Sequence, residues 1–206
     1  MESLTQAEQE ALLGRLVEPL VTPADREAFA GRVCLITGGG GSVGSELARQ
    51  IAFCRPAALA LIDHSEPALF QIEQQLRDRA PSTKVLPILC DVTRRSTLRR
   101  IVSRIAPDVV FHAAAYKHVT MAERAICATA HVNVLGTEAA MTAASDVGAQ
   151  FVLISSDKAA SPRSVMGATK RLAELVTLTR PAVGTPRIVV RFGNILASSG
   201  SFVEIA

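Results

Sequence analysis

The sequence predicts an α/β fold built on a doubly wound parallel sheet, and two observations support this prediction. Short β-branched or apolar runs recur along the chain, and helical stretches separate them; the runs lie at 33–37, 58–62, 85–90, 108–112, 151–155 and 187–192. Strands that alternate with helices form a parallel sheet with helices on both faces. Crossover rules then favour the strand order 3-2-1-4-5-6, with ligands bound at the carboxyl edge where the order reverses.

Length and composition agree with one well-cored domain. The chain has 206 residues, and 49% of them are apolar, which excludes a disordered or fibrous protein. A formal net charge of +3 is too small to indicate nucleic acid or an anionic membrane as a partner. The densest basic stretch, 94–104, carries Leu98, Ile101 and Val102 at helical spacing, which predicts the solvated face of an amphipathic helix.

Cysteine usage and hydropathy bear on location. The four cysteines fall singly inside apolar segments without metal-ligand spacing, so we expect reduced core thiols and no metal site; they are Cys34, Cys54, Cys90 and Cys127. No apolar run approaches the roughly 18–20 residues that span a bilayer. We therefore expect no membrane span in this chain and a cytoplasmic location.

Helix-start signals divide the chain further. Thr5 with Glu8, and then Thr22 with Pro23 and Asp25, predict two short helices. Residues 1–30 are thus expected to form a helical lead-in, and residues 31–206 the main domain. After the fourth strand, the spacing of Thr120 and Glu123 predicts a capping box that opens one long helix toward Gly148.

A glycine-rich turn between the first strand and the next helix carries the clearest functional signal. The strand VCLIT leads into a turn that contains Thr37, Gly38, Gly41, Ser42, Val43 and Gly44, and then into a helix containing Leu47, Ala48 and Ile51. Gly38 suits a tight turn, Gly41 lets the backbone approach a pyrophosphate, and Gly44 allows close helix packing. The helix N-terminus adds unpaired N–H groups, which indicates a Rossmann-type dinucleotide site rather than a purely structural turn.

Residues at the ends of the next strands fit the rest of a dinucleotide. Asp63 ends the second strand, where a carboxylate accepts hydrogen bonds from the adenosine ribose and favours NAD over NADP. The alternative is that Asp63 only caps the helix starting near Ser65. Further cofactor contacts are expected after the third and fourth strands, from Asp91, Val92, Ala113, Ala114 and Ala115. Small side chains such as these alanines also suit close packing alone.

Six motifs in order resemble a known family. They are ITGGGGSVGSELARQI, LIDHSE, PDVVFHAAAYKHV, NVLGT, LISSDKAASPRSVMGATKRLAEL and VRFGNILASSGS. The chain resembles the extended short-chain dehydrogenase/reductases, and among them the polysaccharide-biosynthesis 4,6-dehydratases that act on UDP-N-acetylhexosamines. It is similar to their membrane-associated branch, without the membrane helices and without the C-terminal portion that closes over the sugar nucleotide.

The resemblance implies roles for matching residues. Ser156, Asp157 and Lys158 match the catalytic group, and Lys170 matches the lysine that binds the nicotinamide ribose. The implied substrate contacts come from Lys117, His118, Met121 and Asn194. In the implied reaction, hydride passes from C4 of the sugar to NAD(P)+, water is eliminated across C5 and C6, and the hydride returns to C6. Lys158 would remove the C5 proton, and Asp157 would protonate the departing hydroxyl, which requires a lowered pKa for the lysine and a raised pKa for the aspartic acid.

Two readings of function remain open at this stage. One is a nucleotide-sugar 4,6-dehydratase, or the cofactor-binding part of one; the other is a truncated, catalytically inactive paralogue that binds nucleotide. A reductase or epimerase is disfavoured because Met166 stands where those enzymes carry a proton-relaying tyrosine. We expect the chain alone to show no turnover, because the portion that positions the sugar is absent, and we expect it to form homo-oligomers through exposed apolar faces.

Overall fold

A six-stranded parallel sheet forms the centre of the molecule. The computed structural model describes residues 21–180 and 184–195, with isolated positions 7, 10, 11 and 14. The strands are β1 (Val33–Thr37), β2 (Ala58–Asp63), β3 (Val85–Leu89), β4 (Val109–His112), β5 (Gln150–Ser156) and β6 (Arg187–Phe192). Every neighbouring pair is parallel, and the order is β3-β2-β1-β4-β5-β6. The predicted fold class and strand order are confirmed.

Helices connect the strands and cover both faces of the sheet. They are α1 (Pro23–Phe29), α2 (Ser42–Ala52), α3 (Glu66–Arg79), α4 (Arg95–Ile105), α5 (Val119–Arg124), α6 (Ile126–Ala130), α7 (Thr137–Asp146) and α8 (Val165–Thr179). A π-helical turn (His131–Gly136) joins α6 to α7, and a 3-10 turn (Asp157–Ala159) follows β5. The predicted start at Thr22 is confirmed, because its hydroxyl accepts from Asp25 N–H and the Asp25 carboxylate accepts from Thr22 N–H. The signal at Thr5 and Glu8 lies outside the described residues.

Two apolar layers sandwich the sheet. On one face, α2 and α3 bury Ala48, Ile51 and Ile72 against β1, β2 and β4. On the other face, α4, α7 and α8 bury a second layer that includes Leu98 and Met141. Strands covered on both sides read as continuous apolar runs, which explains why their positions are visible in the sequence to within about two residues.

The predicted long helix after β4 is wrong. Instead of one helix from Thr120, the chain forms α5 with His118 at its N-cap, breaks at Ala125, and continues through α6 and the π-helical turn into α7. Thr120 caps nothing, and the Glu123 carboxylate accepts a hydrogen bond from Val165 N–H at the start of α8, 2.7 Å away. The spacing of Thr120 and Glu123 therefore matches a capping box, but Glu123 accepts a hydrogen bond at the start of α8 instead of capping α5.

The basic stretch and the cysteines also have observed places. The amphipathic helix α4 is confirmed: it buries Leu98 and Val102, while Arg95 pairs with Glu138 and Arg99 with Asp146 on α7. All four cysteines are free thiols, and three are buried. Cys127 is exposed on α6, so the prediction of a core thiol is wrong there.

Candidate functional site

A crevice of about 260 Å³ runs along the carboxyl edge of β1, β2 and β4. Its walls come from the predicted cofactor residues of several strand ends: Gly38, Gly41, Asp63, Asp91, Val92 and Ala113 to Ala115. The lining also includes Gly40, His64, Ser65, Ala68, Cys90, Tyr116 and Val132. The fold therefore brings together residues that lie up to about a hundred positions apart in the chain, at the edge where parallel sheets of this kind bind ligands.

The glycine-rich turn leaves no room for side chains. Gly38 has a φ of +71°, and a Cβ added there would lie 2.6 Å from the backbone nitrogen of Ala114. A Cβ on Gly44 would collide with the carbonyl oxygen of Gly38. Gly41 is the N-cap of α2 and offers no side-chain cap, so the first amides of this helix face the crevice without a capping side chain. Such a helix N-terminus is suited to bind a diphosphate.

Asp63 braces this turn from the neighbouring strand. One carboxylate oxygen accepts from Gly40 N–H at 3.0 Å, and the other accepts from Ser65 N–H at 3.0 Å. The helix cap is Ser65, whose hydroxyl accepts from Ala68 N–H, so the alternative of Asp63 as the cap does not describe this structure. His64 Nδ1 lies 3.3 Å from Asp63 Oδ1.

Asp91 occupies the next strand end. Its Oδ1 accepts from both the N–H and the hydroxyl of Thr93 at 2.8 Å. Although burial raises the pKa of Asp91, these two bonds outweigh it and hold the pKa below its ordinary value. An ionised carboxylate thus lines the same crevice as Asp63.

Lys117 extends across the glycine-rich turn. Its ammonium lies 3.5 Å from Ser42 Oγ, at the first residue of α2. Lys117, a predicted substrate contact, therefore lies beside the N-terminus of α2, where the diphosphate of a dinucleotide would bind. His118 and Met121 are exposed on the first turn of α5 and do not line the crevice, so their substrate roles stay predictions.

Ser156, Asp157 and Lys158 form one hydrogen-bonded group after β5. Ser156 Oγ donates to Asp157 Oδ1 at 3.0 Å and accepts from Lys158 N–H at 3.2 Å. Lys158 Nζ donates to Asp157 Oδ1 at 3.1 Å and to Asn194 Oδ1 at 2.9 Å. Hydrogen bonds from Lys158 and Ser156 lower the pKa of Asp157, the opposite of the shift that an acid needs. This group lies outside the crevice lining, and Asn194 is its direct partner.

Lys170 is buried on α8. Its ammonium donates to the carbonyl oxygen of Ile154 on β5 at 2.9 Å. Burial lowers the pKa of Lys170 to about 8, and Glu174 acts in the opposite direction. Nearby, His112 is fully buried with its Nδ1 2.7 Å from Thr37 Oγ1, and its Nε2 finds no partner among the described residues. Burial and the charge of Lys170 lower the pKa of His112 to about 3, so this imidazole is neutral.

Several residues that organise the site were missed by sequence reasoning. The Asn133 side chain holds the backbone of Tyr116 from both sides, accepting from its N–H at 2.8 Å and donating to its carbonyl at 3.0 Å. It also donates to Thr169 on α8. Asn133 belongs to the motif NVLGT, which could have indicated that it is a site residue. His112 and Glu174 also lie within quoted motifs, but no sequence spacing distinguishes them from their neighbours.

Within 21–180 and 184–195, no three His, Cys, Asp or Glu side chains cluster closely enough to hold a metal ion. In the same ranges we find no helix whose length and apolarity would let it cross a membrane. The expectation of a metal-free site stays a prediction.

Comparisons with known proteins identify relatives. A family model described as polysaccharide biosynthesis protein matches residues 34–205. The probable polysaccharide biosynthesis protein EpsC of Bacillus subtilis is 40% identical over 199 residues, which are 95% of this chain and 33% of EpsC. The chain thus spans about a third of the length of this curated relative.

Solved structures share the fold. The X-ray structure of Pen from Bacillus thuringiensis superposes with a TM-score of 0.78 at 27% identity, covering 86% of this chain and 54% of Pen. A UDP-glucose 4-epimerase from Brucella ovis in complex with NAD gives a TM-score of 0.67 at 21% identity, over 79% of this chain and 52% of that one. The second likeness shows the fold alone.

Proposed function

Because the chain belongs to the polysaccharide biosynthesis protein family, we propose that it binds a nicotinamide dinucleotide. We further propose that it is a nucleotide-sugar 4,6-dehydratase, or the cofactor-binding part of one, with a UDP-N-acetylhexosamine as substrate. The glycine-rich turn carries this proposal. A Cβ at Gly38 or Gly44 would collide with backbone atoms, and the first amides of α2 face the crevice. That cradle fits a diphosphate flanked by the Asp63 carboxylate for a ribose.

In this proposal, residues of the chain have the following binding and catalytic roles. Asp63 and Asp91 bind the adenosine half of the dinucleotide, and Lys117 neutralises its diphosphate beside Ser42. Lys170 holds the nicotinamide ribose. When bound, the cofactor supplies a hydride acceptor for C4 of the sugar and a donor for C6. Lys158 removes the proton at C5, Asp157 protonates the departing C6 hydroxyl, and Ser156 assists at the C4 oxygen in place of the hydroxyl that Met166 lacks.

Tyrosine fluorescence can test the proposed binding of the dinucleotide. Tyr116 is the only tyrosine in a chain without tryptophan, and it lines the crevice. Titration with NAD+ should change its fluorescence saturably, and Gly41→Val, which points a side chain into the diphosphate path, should abolish the change. Gly193→Ala is the matched control, because a Cβ there meets nothing within 4 Å, its φ is not positive and Gly193 does not line the crevice. Absence of saturable binding up to about 1 mM, equivalent to roughly −4 kcal/mol, would overturn this function.

One observation favours the catalytically inactive, nucleotide-binding alternative. Asp157 and Lys158 form an exposed ion pair, and hydrogen bonds from Lys158 and Ser156 lower the pKa of Asp157, the opposite of the shift that its proposed role as an acid needs. Because we expect no turnover from the chain alone, the two functions are separated in a fusion of the chain with a homologous C-terminal segment: the fusion is incubated with NAD+ and UDP-N-acetylglucosamine, and mass spectrometry detects the loss of one water. Conversion that Lys158→Ala abolishes supports the dehydratase; NAD+ binding without conversion supports the alternative.

A further inference from the structure

A single buried carboxylate lies where α8, β5 and β6 meet. Glu174 on α8 is 1% exposed, and four donors from three other residues surround it. Ser155 Oγ donates at 2.6 Å, and Arg191 donates through Nε at 2.8 Å and Nη2 at 2.6 Å. Arg171 completes the set at 3.1 Å. Both oxygens of Glu174 are thus engaged, and Arg191 binds them as a two-pronged fork.

Two of the elements joined by Glu174 carry a residue of the candidate catalytic group, and the third, β6, leads to Asn194, the partner of Lys158. Ser155 directly precedes Ser156 at the end of β5, and Lys170 lies one turn before Glu174 on α8. Arg191 lies on β6, three residues before Asn194, whose side chain accepts from Lys158 Nζ. A continuous path of short contacts therefore runs from Glu174 through Arg191 and the end of β6 to the ammonium of Lys158.

We propose that Glu174 and Arg191 are positioning residues, which hold the end of β6 so that Asn194 meets Lys158. The purpose of this contact rests on the proposed function, because Lys158 is the proposed base. Neither Glu174 nor Arg191 touches the reacting groups, so they act through Asn194.

The physical reason lies in the position of β6. Among the described strands, β6 pairs with β5 alone and is an edge strand, so its carboxyl end lacks a neighbour on the outer side. A bidentate arginine–carboxylate pair fixes orientation as well as distance, which a lysine cannot do. Ser155 and Arg171 still bind Glu174 when Arg191 is changed, but neither lies on β6, so loss of the Glu174–Arg191 pair releases the end of this strand.

The chain offers both a sensitive probe and a matched control. It contains four lysines, Lys84, Lys117, Lys158 and Lys170, so selective lysine 13Cε labelling yields four assignable NMR signals whose pH titrations can be followed. Glu138 on α7 is also buried at 8% exposure and also bridges two arginines, Arg95 and Arg180, but it has no path to Lys158. Glu174→Gln and Glu138→Gln thus remove equivalent charges.

In the 206-residue chain, Glu174→Gln and Arg191→Lys should move the Lys158 signal and its titration in the direction that Asn194→Ala moves them. Glu138→Gln should leave the Lys158 signal in place. In the Asn194→Ala background, Glu174→Gln should cause no further shift of the Lys158 signal, because the contact between Asn194 and Lys158 is already lost. If Glu174→Gln does not fold, Arg191→Lys in both backgrounds decides the same question.

An unchanged Lys158 signal in both variants would overturn the proposal. So would an equal shift in Glu138→Gln, since that result means general loosening rather than positioning. The NAD+ titration of Tyr116 is a separate measurement: failure of NAD+ to bind removes the proposed function, whereas the lysine signals test the positioning itself.

Discussion

Asp157 and Lys158 determine the charge state from which any proton chemistry at this site starts. Their side chains lie 3.1 Å apart and are 54% and 42% exposed. Hydrogen bonds from Lys158 and Ser156 keep the pKa of Asp157 low, which suits a carboxylate in water and not an acid. Proton transfer therefore requires that a bound substrate separates the pair and excludes water, so that burial shifts both groups toward their working states.

Asp63 should make the site prefer NAD+ over NADP+. Its carboxylate lines the crevice, where we expect it to accept from a free ribose hydroxyl and to repel a 2′-phosphate. We expect Asp63→Asn to reduce the NAD+ preference by about tenfold, or roughly 1.4 kcal/mol, as measured by calorimetry with both dinucleotides. Glu66→Gln removes an exposed charge nearby that does not line the crevice, and it should leave the preference unchanged. Equal or tighter NADP+ binding by the unmodified chain would contradict the assignment.

Lys170 should make stability depend on pH. Its pKa is about 8 in the folded chain against an ordinary 10.5, so the unfolded chain binds more protons between these values and stability rises with pH through this window. Lys170→Met should therefore be more stable than the parent at pH 7, by at most about 3 kcal/mol before the lost bond to Ile154 is subtracted. This advantage should shrink as pH approaches 10.5. Urea unfolding of both proteins across the window measures it, and a pH-independent difference would count against a lowered pKa.

At the scale of elements, Gly167 links α8 to the turn that carries Lys158. A Cβ at Gly167 would lie 2.7 Å from the carbonyl oxygen of Lys158. Replacing glycine by alanine inside a helix ordinarily stabilises by about 0.5–1 kcal/mol, but here we expect Gly167→Ala to destabilise the chain and to move the Lys158 NMR signal. Ser103→Ala, at an exposed position of α4, is the control. A more stable Gly167→Ala with an unchanged Lys158 signal would show that the contact is not restrictive.

The strands and the glycine-rich turn could be predicted because their signals are local. Burial on both faces makes the central strands β1, β2 and β4 continuous apolar runs, and the tight approach of Gly38 to Ala114 demands glycine at one position. The region after β4 could not be predicted, because its shape depends on distant partners. Glu123 serves Val165, 42 residues away, and Asn133 in the π-helical turn holds Tyr116, 17 residues away. The spacing of neighbouring residues in the sequence does not indicate either of these two hydrogen bonds.

The same distinction applies to the site. The motifs indicated the residues proposed to carry the chemistry, such as Lys158 and Lys170, whereas the groups that hold them are seen only in the folded structure. Glu174 and Arg191 are 17 residues apart in the chain and meet because β6 pairs with β5 beside α8. The roles of the predicted cofactor and substrate residues stay predictions until binding is measured.

Across the whole molecule, the expected self-association has a structural location. Helix α8 exposes three leucines on one side, Leu172, Leu175 and Leu178, at 49%, 39% and 59%, and Leu135 on the adjoining π-helical turn is 45% exposed. We expect this leucine surface to take part in the predicted self-association, because it groups exposed apolar side chains of α8 and the adjoining turn. None of these leucines lines the crevice.

Leu172→Asp should therefore convert an oligomeric chain into a monomer. A charge at the centre of an apolar contact must be desolvated without a partner, which costs more than a small interface of this kind supplies. Light scattering at tens of micromolar, where exposed apolar surface commonly drives association, measures the mass of the parent chain and the variant. Phe70→Asp is the matched control, because Phe70 is 58% exposed on α3, which covers the opposite face of the sheet. Loss of association in Leu172→Asp alone places the interface on α8. A monomeric parent chain would remove the prediction, and equal loss in both variants would mean that association follows total exposed apolar area rather than this surface.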